Sequence, residues 1–298
     1  MKGIESKIKG ALYGFAIGDA MGATTEFMDK HSIKVSYGKI SDIIGGGWLN
    51  LEPGEVTDDT QMTMCVCDAI RHVFGDKKLF HYDENLDQSD VFLSKCCYNF
   101  TKWYLSEPDD IGGCCRRVIE KCRYTTDPKY WFDIADNSNS LGNGSLMRTM
   151  PIILSGQSED LARLQGRLTH NNTTCDVAIS IYYQNMEELL YHDTFRTVAR
   201  CVYEPEGHVV NTLNNALFWA QHSDSFEDAI VSAVNDGGDA DTIAAITGSL
   251  AGALYGYDAI PKRWISQLDV KVKRDLDFYA KLFEKINKKY VQMPSNLL

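Results

Sequence analysis

Two short acidic strings carry the residue types that bind hard metal ions. The first is TDDT at positions 57–60, directly before a helical pattern, and the second is DADT at positions 239–242, directly before an apolar segment. Each string offers two carboxylates and a hydroxyl, more than one helix cap needs. Such oxygens suit Mg²⁺ or Mn²⁺, and neither string contains the His or Cys that zinc favours. The strings therefore predict a site for two divalent ions, provided that the fold brings them together across about 180 residues.

The first string also has a simpler interpretation, as an ordinary helix start. Thr57 would cap the helix, and Asp58 and Asp59 would complement the positive end of its dipole. The second string makes this interpretation insufficient, because four clustered carboxylates without cations would repel one another and raise their pKa values. The sequence by itself leaves open whether the two strings meet.

A third acidic element is GDAMGATTEF at positions 18–27, at the end of an apolar N-terminal segment. Its two glycines indicate close helix packing, and Asp19 fits a buried hydrogen-bond acceptor. Glu26 follows on a loop, where a glutamate is ordinarily a solvated surface residue.

Apolar residues recur at helical spacing in three segments, which span positions 62–73, 92–104 and 272–290. Strict alternation, which a strand needs, is brief wherever it occurs, and the chain has only seven prolines. The pattern favours an all-α fold. The string GALYG at 10–14 returns at 252–256, which predicts two central core helices. No linker divides the sequence, so we expect a single domain over residues 1–298, with loops at 45–47 and 75–88.

The composition excludes several classes of protein. The formal net charge of −11 argues against generic nucleic-acid binding, which requires clustered Lys and Arg. No apolar run reaches the roughly 18 to 20 residues of a membrane span. The apolar segment 11–17 follows three lysines and imitates a signal peptide, but Asp19 and nearby glycines interrupt it. Nine cysteines without zinc-finger spacing indicate reduced thiols, so we expect a cytoplasmic protein.

Four strings together resemble the ADP-ribosylglycohydrolase family: GDAMGATTEF at 18–27, GEVTDDTQM at 54–62, SLGNGSLMR at 140–148 and GGDADT at 237–242. Their order and wide spacing cover most of the chain. The resemblance implies an all-α orthogonal bundle with a dinuclear Mg²⁺ or Mn²⁺ centre, in which one aspartate bridges both ions. The residues that match the family's metal ligands are Thr57, Asp58, Asp59, Asp239, the bridging Asp241, and Thr242.

The resemblance also implies a substrate cleft. The segment 140–148 resembles the family's phosphate-cradling loop, since glycines let backbone N–H groups turn toward a diphosphate. Asp110 matches a residue near the substrate ribose, and His170 matches one that contacts the phosphates or ribose. Arg148 is expected to be structural. The implied substrate-binding residues are Asp110, Ser140, Leu141, Gly142, Asn143, Gly144 and His170.

Three details depart from the family pattern near the cleft. Cys114 and Cys115 stand where threonines are common, Asn139 stands where some members carry glycine, and no proline follows the histidine segment. These departures concern the substrate pocket and leave the metal ligands intact.

The function that the resemblance implies is metal-dependent hydrolysis of the glycosidic bond between ADP-ribose and an acceptor. Glu26, Asp110 and Asp241 are the expected catalytic residues. Glu26 matches a residue that contacts the second metal or gates the site, and the sequence does not decide whether Glu26 or Asp110 is the general acid or base. Two alternatives stay open: a non-catalytic ADP-ribose-binding protein whose partner is an ADP-ribosyltransferase that it inhibits, and a hydrolase of another ADP-ribose conjugate or N-glycoside.

Overall fold

The computed structural model describes residues 3–75, 87–136 and 138–291, and every regular element in these ranges is helical. Two short 3₁₀ turns cover Asn143–Ser145 and Tyr257–Ala259. The α-helices in chain order are α1 Ile4–Gly22, α2 Lys30–Tyr37, α3 Asp58–Phe74, α4 Gln88–Tyr104, α5 Gly113–Cys122, α6 Pro128–Asp136, α7 Met150–Leu154, α8 Glu159–Arg167, α9 Thr173–His192, α10 Val209–Gln221, α11 Phe226–Val234, α12 Ala240–Tyr255, α13 Lys262–Gln267 and α14 Val270–Val291. The predicted all-α fold is confirmed, while the single-domain organisation stays a prediction.

The predicted central pair is formed by α1 and α12, which run antiparallel through the core. A Cβ added to Gly14 would lie 2.1 Å from the carbonyl oxygen of Gly248, and one added to Gly18 would lie 2.0 Å from that of Ala244. Glycine is therefore required where the two backbones touch. The same register sets Gly22, at the end of α1, beside the start of α12. The acidic segments 18–27 and 239–242 are therefore neighbours.

The other helices cover this pair and one another. α10 and α11 pack on α12, α14 packs on α1, α3 packs on α4, and α8 packs on α9. The predicted helical segments 62–73, 92–104 and 272–290 lie in α3, α4 and α14. The glycines at 45–47 lie outside any helix as expected, whereas most of the predicted loop at 75–88 lies outside the described residues.

All nine cysteines are free thiols, as the composition predicted. Cys201 is exposed, Cys65 is half-buried, and the other seven are buried. Within the described ranges, no helix combines the length and the apolar character needed to cross a membrane.

Candidate metal centre and substrate cleft

The two acidic strings meet where α3 and α12 begin. The hydroxyl of Thr242 donates a hydrogen bond to Oδ2 of Asp59 at 3.0 Å, which joins two strings that lie far apart in sequence. Both helix starts open into one cleft of about 360 Å³. The carboxylates that line it are those of Glu26, Asp58, Asp59, Asp110, Asp239 and Asp241.

Asp19 holds the start of α3 in place. Its buried carboxylate accepts hydrogen bonds from the backbone N–H of Thr57 at 3.0 Å, from the Thr57 hydroxyl at 2.9 Å and from the backbone N–H of Thr60 at 3.0 Å. The Thr57 hydroxyl oxygen in turn accepts from the N–H of Asp59 at 3.3 Å. Both the buried acceptor role of Asp19 and the helix-cap role of Thr57 are therefore confirmed. Thr57 does not itself line the cleft, and its role as a metal ligand stays a prediction.

The three predicted catalytic residues come together in the cleft. Glu26 follows α1, Asp110 precedes α5 and Asp241 lies in the first turn of α12, yet one carboxylate oxygen of each lies within 4.8 Å of the others. Glu26 is only 6% exposed, so it is not the solvated loop residue that its position alone would indicate. The sequence supplies three distant carboxylates, and the fold makes them neighbours.

Burial and mutual repulsion perturb the acids of this cluster. Loss of solvation, followed by the neighbouring Asp110, raises the pKa of Asp58 to about 8. Loss of solvation likewise raises the pKa of Glu26 to about 8 and that of Asp239 to about 6. The pKa values of Asp59 and Asp241 are also raised well above their ordinary range, by burial first and by nearby carboxylates second. The cluster therefore resists full ionisation unless a positive charge joins it.

Two fully buried oxygens of the cluster have no partner in the described ranges. Oδ1 of Asp59 and Oδ1 of Asp241 are buried and accept no hydrogen bond from any described residue. Among the described residues that line the cleft, none is Lys or Arg. Buried carboxylate oxygens of this kind are costly unless a cation or a donor reaches them. The all-oxygen donor set fits a hard divalent cation.

α5 begins at the same cleft. The backbone N–H of Gly112 donates to Oδ2 of Asp58 at 2.9 Å, which ties the Asp110 loop to the first acidic string. Cys114 and Cys115 line the cleft one turn further on, and the Cys114 thiol donates to the carbonyl oxygen of Thr169 at 3.3 Å. The two cysteines that depart from the family pattern therefore line the cleft.

The central glycine loop faces the second acidic string. The Asn143 side-chain amide donates to Oδ2 of Asp239 and, at 3.0 Å, to the hydroxyl of Thr212. Ser140, Gly142, Asn143 and Gly144 line the cleft, whereas Leu141 does not and its substrate role stays a prediction.

Two backbone N–H groups of this loop are already engaged. That of Gly142 donates to the Ser140 hydroxyl at 3.2 Å, and that of Asn143 donates to the carbonyl oxygen of Gly207 at 3.1 Å. The expected cradle of free N–H groups is therefore not present at these two positions. The Ser140 hydroxyl and the Gly207 carbonyl take up the two N–H groups that were expected to face a diphosphate. A second use of the glycines is visible at Gly144, where an added Cβ would come within 3.0 Å of both Cys115 Sγ and His170 Cε1.

Arg148 is completely buried and serves the structure, as expected. Its guanidinium donates to Gln165 Oε1 at 3.0 Å, to the carbonyl oxygen of Gly144 at 2.7 Å and to the hydroxyl of Thr169 at 2.7 Å. It also lies 4.7 Å from the ring centre of Phe100. These contacts fix the glycine loop to α8.

His170 lies beside this network and lines the cleft. Its Nδ1 is 2.8 Å from the Thr169 hydroxyl oxygen. Burial, reinforced by the positive charge of Arg148, lowers the pKa of the imidazole to about 3. The ring is therefore neutral at physiological pH.

Sequence reasoning did not assign two aromatic residues at the mouth of the cleft. Trp48 donates from its indole Nε1 to Glu26 Oε2 at 2.6 Å, and its ring centre lies 5.5 Å from that of Phe27. Both rings are substantially exposed, at 52% for Trp48 and 69% for Phe27. A tryptophan directly after three glycines in a loop was the available hint, but the sequence does not show that it reaches Glu26.

Comparisons with known proteins agree with this geometry. The family model described as ADP-ribosylglycohydrolase matches residues 1–292. The chain is 34% identical over 296 residues to the ADP-ribosyl-[dinitrogen reductase] glycohydrolase of Rhodospirillum rubrum, with 92% of this chain and 94% of the relative covered. It is 30% identical over 315 residues to the ADP-ribosylarginine hydrolase Tri1 of Serratia proteamaculans, with 93% and 79% covered.

A solved structure shares the same architecture. The chain is similar to one titled "ADP-ribosylglycohydrolase-related protein complex", with a TM-score of 0.77 and 27% identity, and the match covers 96% of this chain and all of that one. With the family model matched over nearly the whole chain and the acidic strings joined in one cleft, the chain belongs to the ADP-ribosylglycohydrolase family.

Proposed function

We propose that the chain is a metal-dependent hydrolase that cleaves the bond between ADP-ribose and a modified protein side chain, and so reverses ADP-ribosylation. The observation that carries this proposal is the convergence of Glu26, Asp110 and Asp241 beside buried carboxylate oxygens that lack partners. The names of the two relatives support hydrolysis of an ADP-ribose conjugate.

The proposed cofactor is a pair of Mg²⁺ or Mn²⁺ ions. When bound, these ions supply Lewis-acid charge that offsets the repulsion among the carboxylates. The unpartnered oxygens of Asp59 and Asp241 are what favours this assignment. The proposed ligands are Thr57, Asp58, Asp59, Asp239, Asp241 and Thr242.

Glu26 is the proposed general acid or base, with Asp110 as its neighbour. The Trp48 indole N–H occupies Oε2 of Glu26, so Oε1 is the atom free to hold or release a proton. Positive charge that develops on the ribose during glycosidic cleavage is stabilised by nearby carboxylates. Asp110 and Asp241 lie beside Glu26, and their carboxylates would supply the stabilising negative charge.

The other end of the cleft is the proposed site for the rest of ADP-ribose. Ser140, Gly142, Asn143, Gly144 and His170 line it and carry hydroxyl, amide and imidazole groups for the sugar and the diphosphate. Leu141 belongs to the proposed loop through its backbone. We also propose a cytoplasmic location, because nine thiols stay free in the structure.

The test compares two double variants with the unmodified chain. The first, Asp58→Asn with Asp59→Asn, removes two proposed ligands. The second, Glu159→Gln with Asp160→Asn, is a matched control, since these adjacent acids occupy the first turn of α8 away from the cleft. Release of ADP-ribose from a protein bearing ADP-ribosylarginine is measured with Mg²⁺, with Mn²⁺ and with EDTA.

We expect the unmodified chain and the control to release ADP-ribose only when metal is present, and the first variant to release none while still melting cooperatively. Undiminished release by the first variant would contradict the metal-centred mechanism. Tight binding of ADP-ribose without any release by the unmodified chain would instead favour a binding protein that acts on a transferase.

A further inference from the structure

The Thr169 hydroxyl stands between a buried arginine and the cleft histidine. It lies 2.7 Å from Nη2 of Arg148 and 2.8 Å from Nδ1 of His170. Thr169 itself is fully buried. An arginine can only donate, so the Thr169 oxygen must accept from Arg148.

The single hydrogen of the Thr169 hydroxyl then has one good acceptor. Among the described residues, the alternative to His170 Nδ1 is the Cys115 sulfur at 4.0 Å, which is both distant and a weak acceptor. The hydroxyl therefore donates to Nδ1. A neutral imidazole that accepts at Nδ1 carries its own hydrogen on Nε2.

The Nε2 edge of the ring faces the glycine loop of the cleft. A Cβ added to Gly142 would lie 3.3 Å from Nε2, and one added to Gly144 would lie 3.6 Å from it. His170 lines the cleft, and its one hydrogen bond among the described residues is made by Nδ1, not by Nε2. An N–H that faces a cleft without a protein partner is suited to a ligand oxygen.

We propose that Arg148 and Thr169 together fix His170 in the Nε2–H tautomer, so that the neutral ring donates a hydrogen bond to an oxygen of ADP-ribose. Thr169 is thus a positioning residue, which acts on the ligand through His170. The identity of the ligand rests on the proposed function, whereas the tautomer does not depend on it. A neutral donor at this point also spares the cleft a further buried charge.

The first measurement needs no variant. In the chain labelled with ¹⁵N-histidine, the NMR spectrum assigns the proton of the His170 ring to one nitrogen. We expect Nε2 to be protonated and Nδ1 to be bare, with and without ADP-ribose. A proton on Nδ1 would overturn the proposal, and so would a doubly protonated ring.

The second measurement removes the Thr169 hydroxyl, which connects Arg148 to His170. Thr169→Val keeps the shape and removes the hydroxyl, and Thr169→Ser retains the hydroxyl. Thr247→Val is the matched control, because its buried hydroxyl donates to the carbonyl oxygen of Ile243 within α12, away from His170. We expect Thr169→Val to mix the two tautomers and to weaken ADP-ribose binding roughly five- to tenfold, as loss of one hydrogen bond predicts. The serine and control variants should keep the original tautomer and affinity.

A third measurement uses two variants of His170 and does not depend on the folding of Thr169→Val. His170→Gln places an amide N–H near the position of Nε2, whereas His170→Asn places it near Nδ1. We expect the glutamine variant to bind ADP-ribose more tightly than the asparagine variant, and equal affinities would count against the proposed donor. If the Nε2 tautomer is found but ADP-ribose does not bind at all, the proposed ligand and the proposed function are wrong. The claim that Arg148 and Thr169 fix the tautomer of His170 is then still correct.

Discussion

At one end of the cleft, six carboxylates from the starts of α3 and α12 and from two loops crowd together, and two of their fully buried oxygens have no partner among the described residues. At the other end, Arg148, Thr169 and His170 form a buried network in which the guanidinium satisfies several acceptors. Burial and neighbouring carboxylates raise the pKa of Asp58 at the first end, whereas burial and Arg148 lower the pKa of His170 at the second. His170 lines the same cleft as the carboxylates, whereas Arg148 and Thr169 do not, and the two ends differ in how complete they are without a ligand.

This difference separates two ways of building a site. The carboxylate end is preorganised for a cation and is destabilising until one arrives, because like charges share a buried space. The arginine end holds its shape through neutral acceptors as folded, and the Nε2 edge of His170 faces the glycine loop. Substitutions at the two ends should therefore change stability in opposite directions.

The largest effect is expected from removing the completed network. Arg148→Met leaves the carbonyl of Gly144 and the side chain of Gln165 buried without their donor, and each unsatisfied group costs about 1 to 3 kcal/mol. We expect the free energy of unfolding of the metal-free chain to fall by about 3 kcal/mol or more in urea titrations. Asp59→Asn, in the same measurement, should raise it by relieving repulsion.

The matched control is Arg263→Met, which removes an exposed arginine that pairs with Asp42 and Glu227 at the surface. Exposed ion pairs contribute at most about 1 kcal/mol, so a small change is expected. If Arg148→Met and Asp59→Asn both destabilise the chain to the same degree, the contrast between the two ends is wrong.

The second effect is a pH dependence of stability that comes from the carboxylate end above about pH 7, where His170 is largely neutral in both the folded and the unfolded chain. Glu26 and Asp58 have pKa values of about 8 in the folded chain and ordinary low values when unfolded, so the folded state holds more protons between these limits. Raising the pH from about 7 to about 8.5 must then destabilise the metal-free chain, by up to about 1.4 kcal/mol per pH unit for each proton that the folded chain holds and the unfolded chain does not. Thermal melts at a series of pH values measure this slope.

Saturating Mg²⁺ or Mn²⁺ should flatten the slope, because the cation replaces the protons. A metal-free melting temperature that stays constant or rises over this range would show that the acids are not repelling one another.

The smallest effect is expected at the mouth of the cleft. Trp48→Phe keeps an aromatic ring but removes the indole N–H that Glu26 accepts, which favours the protonated form of Glu26 and raises its pKa further. We expect release of ADP-ribose to fall roughly fivefold, as the loss of about 1 kcal/mol predicts, and the limb of the pH–rate profile that Glu26 sets to move to higher pH. Trp103→Phe is the control, since its indole N–H bonds to Gln61 instead. Equal pH profiles for both variants would show that the Trp48 N–H does not influence the pKa of the group that controls the rate.

Local patterns account for most of what was predicted correctly. Helical spacing marked α3, α4 and α14, because the burial of one face of a helix imposes a repeat that is visible in a short window. The recurring small residues marked α1 and α12 as the central pair. The acidic strings could be recognised as sites because they hold more carboxylates than a helix start requires.

Long-range contacts explain what was missed or altered. The bond from Trp48 to Glu26, and the engagement of the Asn143 N–H by Gly207, join segments whose separation no periodicity encodes. The free N–H expected at Asn143 is absent for this reason, since its acceptor is the carbonyl oxygen of the distant Gly207, whereas the acceptor at Gly142 is the local Ser140 hydroxyl.

The sequence by itself determined the all-α class, the family and the chemical character of the cleft, because composition, spacing and motif order are local properties of the chain. Only the tertiary structure decided that the two acidic strings share one cleft, that Glu26 is buried and that Thr169 connects Arg148 to His170. The physical reason is that the register of α1 against α12, set by backbone contact at glycines, carries distant residues to within hydrogen-bond distance.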